Sequence, residues 1–218
     1  MRHRGGSTSN KLRDVFNKHQ CDKGSKHCYD TAYEKEFAHL VNKPINILEI
    51  GVLRGESVAS WLEYFPSASV YAIDTFDRIP PEDIPILHNS RVTWAVGDST
   101  CISINDKVRA FGVTFDIIID DGLHTPKANM LTFLNLVQFL KDRGTYYVED
   151  FFPMHKMTSN ELNQKHLQKN KGTWNINAVT EFLTVIAPYN VASIDNRMLT
   201  GHSDSYIYKI TKVQRRTH

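Results

Sequence analysis

The amino-acid sequence predicts an α/β fold built on a doubly wound, mainly parallel sheet. The segment INILEI at residues 45–50 is apolar at nearly every position, which is typical of a strand buried on both faces of a parallel sheet. After it, segments with helical spacing alternate with short apolar segments, and such β-α-β alternation produces right-handed crossovers in an open sheet. With 218 residues and 41% hydrophobic content, the chain is long enough to form one substantial core.

The individual elements follow in chain order. The spacing of apolar residues predicts two N-terminal helices that bracket the polar segment CDKGSKHCYD at residues 21–30. The predicted parallel strands lie at residues 45–50, 69–74, 91–96, 115–120 and 145–150. Before the fifth strand, Thr125 and Pro126 suit the start of a helix whose apolar residues extend to Leu140, and Gly144 is expected to end that connection.

The character of the chain changes after the fifth predicted strand. Residues 151–174 are polar and weakly periodic, and we interpret them as a lid or a substrate loop. Helical periodicity returns at residues 176–186. Residues 191–195 and 205–210 then predict an antiparallel strand pair that closes the sheet.

Charge and composition exclude several classes of partner. The 26 Lys and Arg residues nearly balance the 24 Asp and Glu residues, so a net charge of +2 does not favour nucleic acid or an acidic membrane. No segment reaches the roughly 18 apolar residues of a membrane span, and the N-terminus lacks the apolar region of a signal peptide. We therefore expect a cytoplasmic location, with the three cysteines reduced.

Each predicted parallel strand ends with an acid or a glycine. These residues are Glu49 and Gly51, Asp74, Gly97 and Asp98, Asp120 and Asp121, and Glu149 and Asp150. In open α/β sheets, ligands bind beyond the carboxyl ends of the strands. The binding site is therefore expected at this edge of the sheet.

The first two strand ends indicate a nucleoside ligand. Gly51 and Gly55 allow a tight turn and a close approach of the backbone to a ligand. Asp74 is placed to accept hydrogen bonds from a ribose diol, either of a dinucleotide or of adenosylmethionine. Leu53 stands where the dinucleotide pattern G-x-G-x-x-G has its second glycine, which disfavours a pyrophosphate. Asp98 is then expected to contact the adenine edge together with the following residue, Ser99.

The fourth and fifth strand ends indicate a cation. Adjacent strands lie ~5 Å apart, so four carboxylates are expected to converge there and to raise one another's pKa values. A hard divalent cation such as Mg²⁺ would remove this repulsion; the alternative is that some of these acids cap a helix or face solvent. His124, three residues after Asp121, is the natural general base because a neutral imidazole can take a proton near neutral pH. The alternative for His124 is an ordinary surface histidine.

Four segments together resemble a known family. They are DKGSKHCY (residues 22–29), ILEIGVLRGES (residues 47–57), DIIIDDGLH (residues 116–124) and YYVED (residues 146–150). This combination resembles the bacterial sugar O-methyltransferases of macrolide biosynthesis, of the mycinamicin and tylosin type, and the related cephalosporin hydroxylase-like proteins. Two residues depart from the family pattern: Leu123 replaces a serine, and Phe151 begins an apolar continuation after the fifth strand.

The resemblance implies a Rossmann-like class I methyltransferase fold with a seven-stranded sheet at residues 44–218. Residues 1–43 would form a helical cap whose polar segment covers the cofactor, although a solvated turn is an equal alternative for that segment. The implied adenosylmethionine contacts are Glu49, Gly51, Asp74, Asp98 and Asp120, to which we add Gly55, Ser57 and Ser99 of the same segments. The implied magnesium ligands are Asp121, Glu149 and Asp150, with His124 as the catalytic base.

The sequence thus predicts a magnesium-assisted O-methyltransferase that acts on a hydroxyl of a small molecule, such as a natural-product sugar. One alternative is a methyltransferase-fold protein that is non-catalytic or acts differently, like the cephalosporin hydroxylase-like proteins. Another is an NAD-dependent oxidoreductase. Nucleic-acid methylation is disfavoured by the low net charge, and the resemblance suggests a homo-oligomer.

Overall fold

A seven-stranded sheet forms the centre of the computed structural model, which describes residues 11–162 and 175–213. Its strands are β1 (Asn46–Ile50), β2 (Ser69–Asp74), β3 (Val92–Val96), β4 (Phe115–Asp120), β5 (Leu140–Val148), β6 (Asn190–Asp195) and β7 (Tyr206–Thr211). They lie in the order β3-β2-β1-β4-β5-β7-β6. Strands β1 to β5 pair in parallel, and β7 pairs antiparallel with both β5 and β6. The predicted fold class is confirmed.

Helices cover both faces of the sheet. The described helices are α1 (Lys11–Lys18), α2 (Asp22–Ser25), α3 (Asp30–Phe37), α4 (Glu56–Tyr64), α5 (Ile104–Ala110), α6 (Pro126–Leu136), α7 (Ser159–Leu162), α8 (Ile176–Ile186) and α9 (Arg197–Thr200). As predicted, Thr125 is the N-cap of α6, and its hydroxyl accepts a hydrogen bond from the amide of Ala128. In the described part of the chain, no helix is long and apolar enough to cross a membrane.

The alternation of side chains along β1 separates two hydrophobic layers. Ile47 joins a layer that contains Phe16 of α1 and Trp61 of α4, whose ring centroids are 5.3 Å apart. Leu48 points to the opposite face and joins the layer formed with α5, α6 and α8. The N-terminal helices therefore share a hydrophobic core with the sheet, while the domain boundary after residue 43 stays a prediction.

The start of β5 differs from the sequence prediction. Leu140, which we assigned to the preceding helix, is the first residue of the strand and pairs with Phe115, whereas Thr145 pairs with Ile117. The extra residues of β5 between these pairs form an irregularity, so Gly144 lies inside the strand and does not end the connection. A Cβ at residue 144 would lie 2.9 Å from the carbonyl oxygen of Lys141, which explains the glycine.

The predicted lid begins inside the core. Phe151 and Phe152 are buried, and Phe151 stacks on Phe182 of α8 with a centroid distance of 5.1 Å. Residues 163–174, which contain the rest of the predicted lid, lie outside the described residues, as do residues 214–218 of the C-terminus. The first residues after β5 therefore belong to the hydrophobic core and are not part of an exposed loop.

Candidate functional site

A cavity of about 750 Å³ opens beyond the carboxyl ends of the central parallel strands. Its walls include these predicted site residues: Gly51, Ser57, Asp74, Asp98, Ser99, Asp121, His124 and Asp150. Among the described residues that line it, eight are Asp or Glu and three are Lys or Arg. The cavity therefore favours a ligand that carries positive charge.

Asp74 joins the first two strand ends. Its Oδ2 accepts hydrogen bonds from the amides of Val52 (2.7 Å) and Leu53 (3.2 Å), and its Oδ1 accepts one from the amide of Phe76 (2.9 Å). An ionised carboxylate offers about four acceptor positions. Thr75 Oγ1 lies 3.5 Å from Oδ1, at the limit of a hydrogen bond, so among the described residues only this weak fourth contact competes with a ligand hydroxyl at the cavity wall.

The two glycines of the first turn serve close packing. Gly51 has φ +89°, and a Cβ on it would lie 2.1 Å from the carbonyl oxygen of Asp121, so the strand ends of β1 and β4 can touch only through a glycine. Gly55 has φ +83°, and a Cβ there would lie 2.4 Å from a methyl group of Ile86. Gly55 therefore packs against Ile86 and is absent from the described cavity wall, where its predicted cofactor contact would have placed it.

Asp98 and Ser99 follow β3 and line the cavity. Asp98 Oδ1 accepts hydrogen bonds from the side chain (2.6 Å) and the amide (2.8 Å) of Thr100, and these bonds lower the pKa of Asp98. The Ser99 hydroxyl lies 2.9 Å from Thr132 Oγ1. Both residues are held in fixed orientations, and their contact with an adenine stays a prediction.

Glu49 and Asp120, two of the predicted cofactor contacts, are buried and do not belong to the described cavity wall. Asp120 accepts hydrogen bonds from Asn129 (3.2 Å) and Tyr146 (3.4 Å). Burial raises the pKa of Asp120 to about 6 and that of Glu49 to about 7. Because successive strand residues point to opposite faces, Asp120 points toward α6 while Asp121 reaches the cavity. A contact of either residue with the cofactor stays a prediction that this geometry does not support.

Asp121, His124 and Asp150 come together at the cavity wall. One ligand atom from each lies within 4.8 Å of the others, a spacing that can hold a metal ion. His124 Nε2 is 3.8 Å from Asp121 Oδ1, and His124 Nδ1 is buried without a hydrogen-bond partner among the described residues. The donor set fits a divalent cation, since carboxylate oxygens suit Mg²⁺ and an imidazole suits transition metals.

Glu149, the third predicted magnesium ligand, lies behind this group. Its side chain is 1% exposed, and it does not line the described cavity wall. The hydroxyl of Tyr33 donates to Glu149 Oε1, and the ammonium of Lys23 donates to Glu149 Oε2. Both carboxylate oxygens therefore have protein donors, and coordination of a metal by Glu149 stays a prediction.

Lys23 comes from the polar segment between α1 and α3, which is not a solvated turn. Lys23 is 1% exposed, and its Nζ lies 2.6 Å from Asp121 Oδ2 and 3.8 Å from Glu49 Oε1. Burial opposes its charge, but Asp121, Glu149 and Glu49 outweigh that effect and raise the pKa of Lys23 well above its usual value. The sequence predicted that this segment covers the cofactor, but not that Lys23 pairs with these acids.

The same segment also fixes Asp150. Tyr29 donates a hydrogen bond of 2.8 Å to Asp150 Oδ1, and His27 Nε2 lies 3.1 Å from Asp150 Oδ2. The other ring nitrogen of His27 lies 2.9 Å from the hydroxyl of Ser205. Burial opposes the charge of Asp150, but the contacts with His27 outweigh it and lower the pKa of Asp150 to about 2. Asp150 has φ +50°, an unfavourable backbone conformation for a residue with a Cβ, and such strain clusters at functional sites.

Comparison with known proteins agrees with the resemblance seen in the sequence. No protein-family model matches the chain. It is 33% identical over 140 residues to 8-demethyl-8-alpha-L-rhamnosyl tetracenomycin-C 2'-O-methyltransferase of Streptomyces olivaceus. The matched region covers 61% of this chain and 35% of that protein. It is 28% identical over 137 residues to mycinamicin VI 2''-O-methyltransferase of Micromonospora griseorubida, covering 59% and 33% of the two chains. The similarity thus spans about a third of the length of these relatives.

Solved structures confirm the fold. The MycE methyltransferase of the mycinamycin biosynthetic pathway, in complex with Mg and SAH, superposes with a TM-score of 0.67 at 18% identity, covering 95% of this chain and 56% of that chain. A putative caffeoyl-CoA O-methyltransferase from Staphylococcus aureus gives a TM-score of 0.59 at 15% identity, covering 92% and 98%. The chain therefore has the class I methyltransferase fold, and its sequence is similar to that of natural-product sugar O-methyltransferases.

Proposed function

We propose that this chain carries the catalytic site of an adenosylmethionine-dependent O-methyltransferase that uses a divalent cation and acts on a hydroxyl of a small molecule. One observation carries the proposal: the group Asp121, His124 and Asp150 lies on the wall of the same cavity as Asp74. Donor and acceptor of the methyl group could therefore meet in one enclosure. The similarity to sugar O-methyltransferases supports the same reaction.

The cavity suits adenosylmethionine better than a dinucleotide. Asp74 lies on the cavity wall, where, in the described part of the chain, only a weak contact with Thr75 competes with a ribose hydroxyl for its carboxylate. Asp98 and Ser99 line the same wall and are our candidates for contact with the adenine. The excess of carboxylates on the wall favours a sulfonium cation and disfavours a pyrophosphate. An NAD-dependent oxidoreductase is therefore the weaker alternative.

Asp121 and Asp150 would hold the divalent cation, and Glu149 is the third ligand that the resemblance implies. Both Asp121 and Asp150 are oriented by protein donors, which is the usual way in which ligating carboxylates are fixed. When bound, a divalent cation supplies Lewis acidity that lowers the pKa of a coordinated hydroxyl. The repulsion between the two carboxylates is then also relieved.

His124 would act as the base. Its ring lies at the cavity wall beside Asp121, within reach of an acceptor held at the same wall. As the acceptor oxygen forms its bond to the methyl carbon, the sulfur–carbon bond breaks and the hydroxyl proton passes to His124. The enzyme's main task is to align the oxygen with the methyl group, because the sulfonium carbon is already electrophilic.

The acceptor class follows from the relatives. Their names describe a rhamnosyl tetracenomycin and mycinamicin VI as substrates, so we propose a glycosylated natural product with a free sugar hydroxyl. Leu123, whose side chain is largely exposed at the cavity, offers an apolar contact for the non-sugar part of such a molecule. A cytoplasmic location and a homo-oligomeric state stay predictions.

The test is methyl transfer from adenosylmethionine to a panel of glycosides, followed by mass spectrometry with Mg²⁺ and with EDTA. We expect a product 14 mass units heavier in the presence of Mg²⁺, and Asp121→Asn should abolish the metal-dependent turnover while adenosylhomocysteine still binds in calorimetry. Loss of turnover and of cofactor binding together would contradict this division of roles. Binding of NADH in place of adenosylhomocysteine would favour the oxidoreductase alternative, and cofactor binding without transfer to any glycoside would favour a non-catalytic protein.

A further inference from the structure

We propose that Lys23 is a resident cation of the carboxylate cluster: it keeps Glu149 as its own partner and confines a divalent cation to the carboxylates of Asp121 and Asp150, beside His124. This inference rests on the proposed metal site and names its ligand set. It differs from the ligand set that the resemblance implies, in which Glu149 binds the metal. The geometry on either side of Asp121 supports it.

The inner side of the cluster is closed to solvent. Lys23, Glu149 and Tyr33 are all fully buried or nearly so. The ammonium has three donors; it contacts Glu149 and Asp121 Oδ2, and Glu49 lies 3.8 Å away. The Tyr33 hydroxyl occupies the remaining oxygen of Glu149. The acids of this inner side therefore already have a positive partner.

The outer side of the cluster faces the cavity. The Asp121 side chain is 22% exposed, and its Oδ1 points toward His124 at 3.8 Å, while Oδ2 points to Lys23. Asp150 also lines the cavity. Asp121 thus bridges the two sides, with one oxygen for the ammonium and the other available to a metal.

Electrostatics keeps the two positive charges apart. A divalent cation coordinated by Glu149 would have to share or replace the contact that Lys23 makes with Oε2, and like charges at such short range repel strongly in a buried site. If Lys23 lost its contact with Glu149, the buried ammonium would keep only Asp121 and Glu49 as partners, and the loss of a buried charged partner is costly. Glu149 can therefore become a ligand only when the lysine is removed.

The experiment compares Mg²⁺ binding by calorimetry and thermal unfolding with and without Mg²⁺ in the wild type, Glu149→Gln, Lys23→Met and the double variant. We expect Glu149→Gln to change the affinity for Mg²⁺ by less than about threefold, while Lys23→Met should bind Mg²⁺ at least about tenfold more tightly, the scale of effects from groups around a metal site. Without metal, Lys23→Met should unfold at a lower temperature, and Mg²⁺ should raise that temperature more than in the wild type. The double variant should lose this gain, because the gain depends on Glu149.

Two controls separate this inference from a general loss of structure. Lys141 pairs with Asp116 at 2.8 Å and does not line the cavity in the described part of the chain, so Lys141→Met should leave the response to Mg²⁺ unchanged. Lys23→Arg keeps the charge and should bind Mg²⁺ as the wild type does. A loss of Mg²⁺ affinity of tenfold or more in Glu149→Gln overturns the inference, even if Lys23→Met fails to fold.

The outcomes also separate the inference from the proposed function. If Glu149→Gln and Asp121→Asn both abolish Mg²⁺ binding, the metal site stands and the role of Lys23 is refuted. If the wild type binds no Mg²⁺ but Lys23→Met does, Lys23 replaces the metal entirely, which refutes a cation confined beside Lys23 and contradicts metal-assisted transfer. If neither protein binds Mg²⁺, both proposals fail.

Discussion

The amide of Val52 donates a hydrogen bond of 2.7 Å to Oδ2 of Asp74, so the turn after β1 is tied to the end of β2. Leu53 donates to the same oxygen, and Phe76 donates to the other. A single carboxylate therefore shapes the turn on which a nucleoside would lie. The structure of this wall and its capacity to bind a ligand depend on the same side chain.

Asp74→Asn should weaken both the stability of the turn after β1 and the binding of a nucleoside ligand. The side-chain NH₂ group of asparagine would face at least one of the backbone amides that now donate to Asp74. Such a mismatch of two donors lowers the free energy of unfolding by about 1–3 kcal/mol. Binding of adenosylhomocysteine should fall at least about tenfold. Urea unfolding and calorimetry measure the two effects. Asp77→Asn, on the same cavity wall, serves as the control; equal effects of the two variants would contradict the role of Asp74.

Gly51→Ala should prevent the strand ends of β1 and β4 from touching. A Cβ would lie 2.1 Å from a backbone oxygen that cannot move aside easily, and φ is +89°. We expect the free energy of unfolding to fall by about 4 kcal/mol or more, or the variant to fail to fold. Gly112→Ala is the matched control because Gly112 has φ +71° but no atom within 4 Å of an added Cβ. Its cost should be about 1–2 kcal/mol. Similar unfolding free energies for the two variants would refute the contact.

His124→Gln should remove the pH dependence of the methyl transfer. Because a base must be neutral to accept a proton, the rate of the wild type should rise with pH and then level off. The variant should be slower by about 10²–10⁴-fold and lack the rise. The pH profile of kcat/KM measures this, with His88→Gln as a control outside the described cavity wall. A variant profile that keeps the rise would exclude His124 as the base.

Asp120→Asn should change how stability depends on pH. Burial raises the pKa of Asp120 to about 6 in the folded protein, above its value in the unfolded chain. The neutral acid therefore stabilises the fold at low pH, and this contribution is lost as pH rises through about 6. Between pH 5 and pH 7 the free energy of unfolding of the wild type should fall by on the order of 1 kcal/mol more than that of the variant. Urea unfolding at both pH values tests this, and parallel losses would contradict it.

Local patterns predicted the strands well where the two faces of a strand are both buried. The bounds of β2 and β4 agree with the predictions because their apolar segments are short and end at an acid. The start of β5 was wrong because Leu140 continues a helical pattern and Gly144 looks like the end of a connection. The irregularity that places both residues in the strand depends on pairing with β4, which is a long-range contact.

The sequence predicted the residues that the strand ends contribute to the candidate site, but not the side chains from the N-terminal segment that pair with them. Strand alternation could have separated Asp120 from Asp121, since consecutive side chains point to opposite faces. The burial of Lys23 could not be predicted from its neighbours, because lysine is almost never fully buried unless it is paired. Its partners Asp121 and Glu149 lie about a hundred residues further along the chain, and the sequence offered only an unusual density of polar residues as a signal.

The contact between His27 and Ser205 joins residues that are synthesised far apart in time. A nascent chain that ends before β7 has already made every carboxylate of the site, yet Asp150 still lacks the support that reaches it through His27 and Ser205. Because β7 lies between β5 and β6 and pairs with both, β6 can join the sheet only once β7 has been made. The contact through which Ser205 supports His27, and with it Asp150, therefore becomes available only together with the strand that closes the sheet.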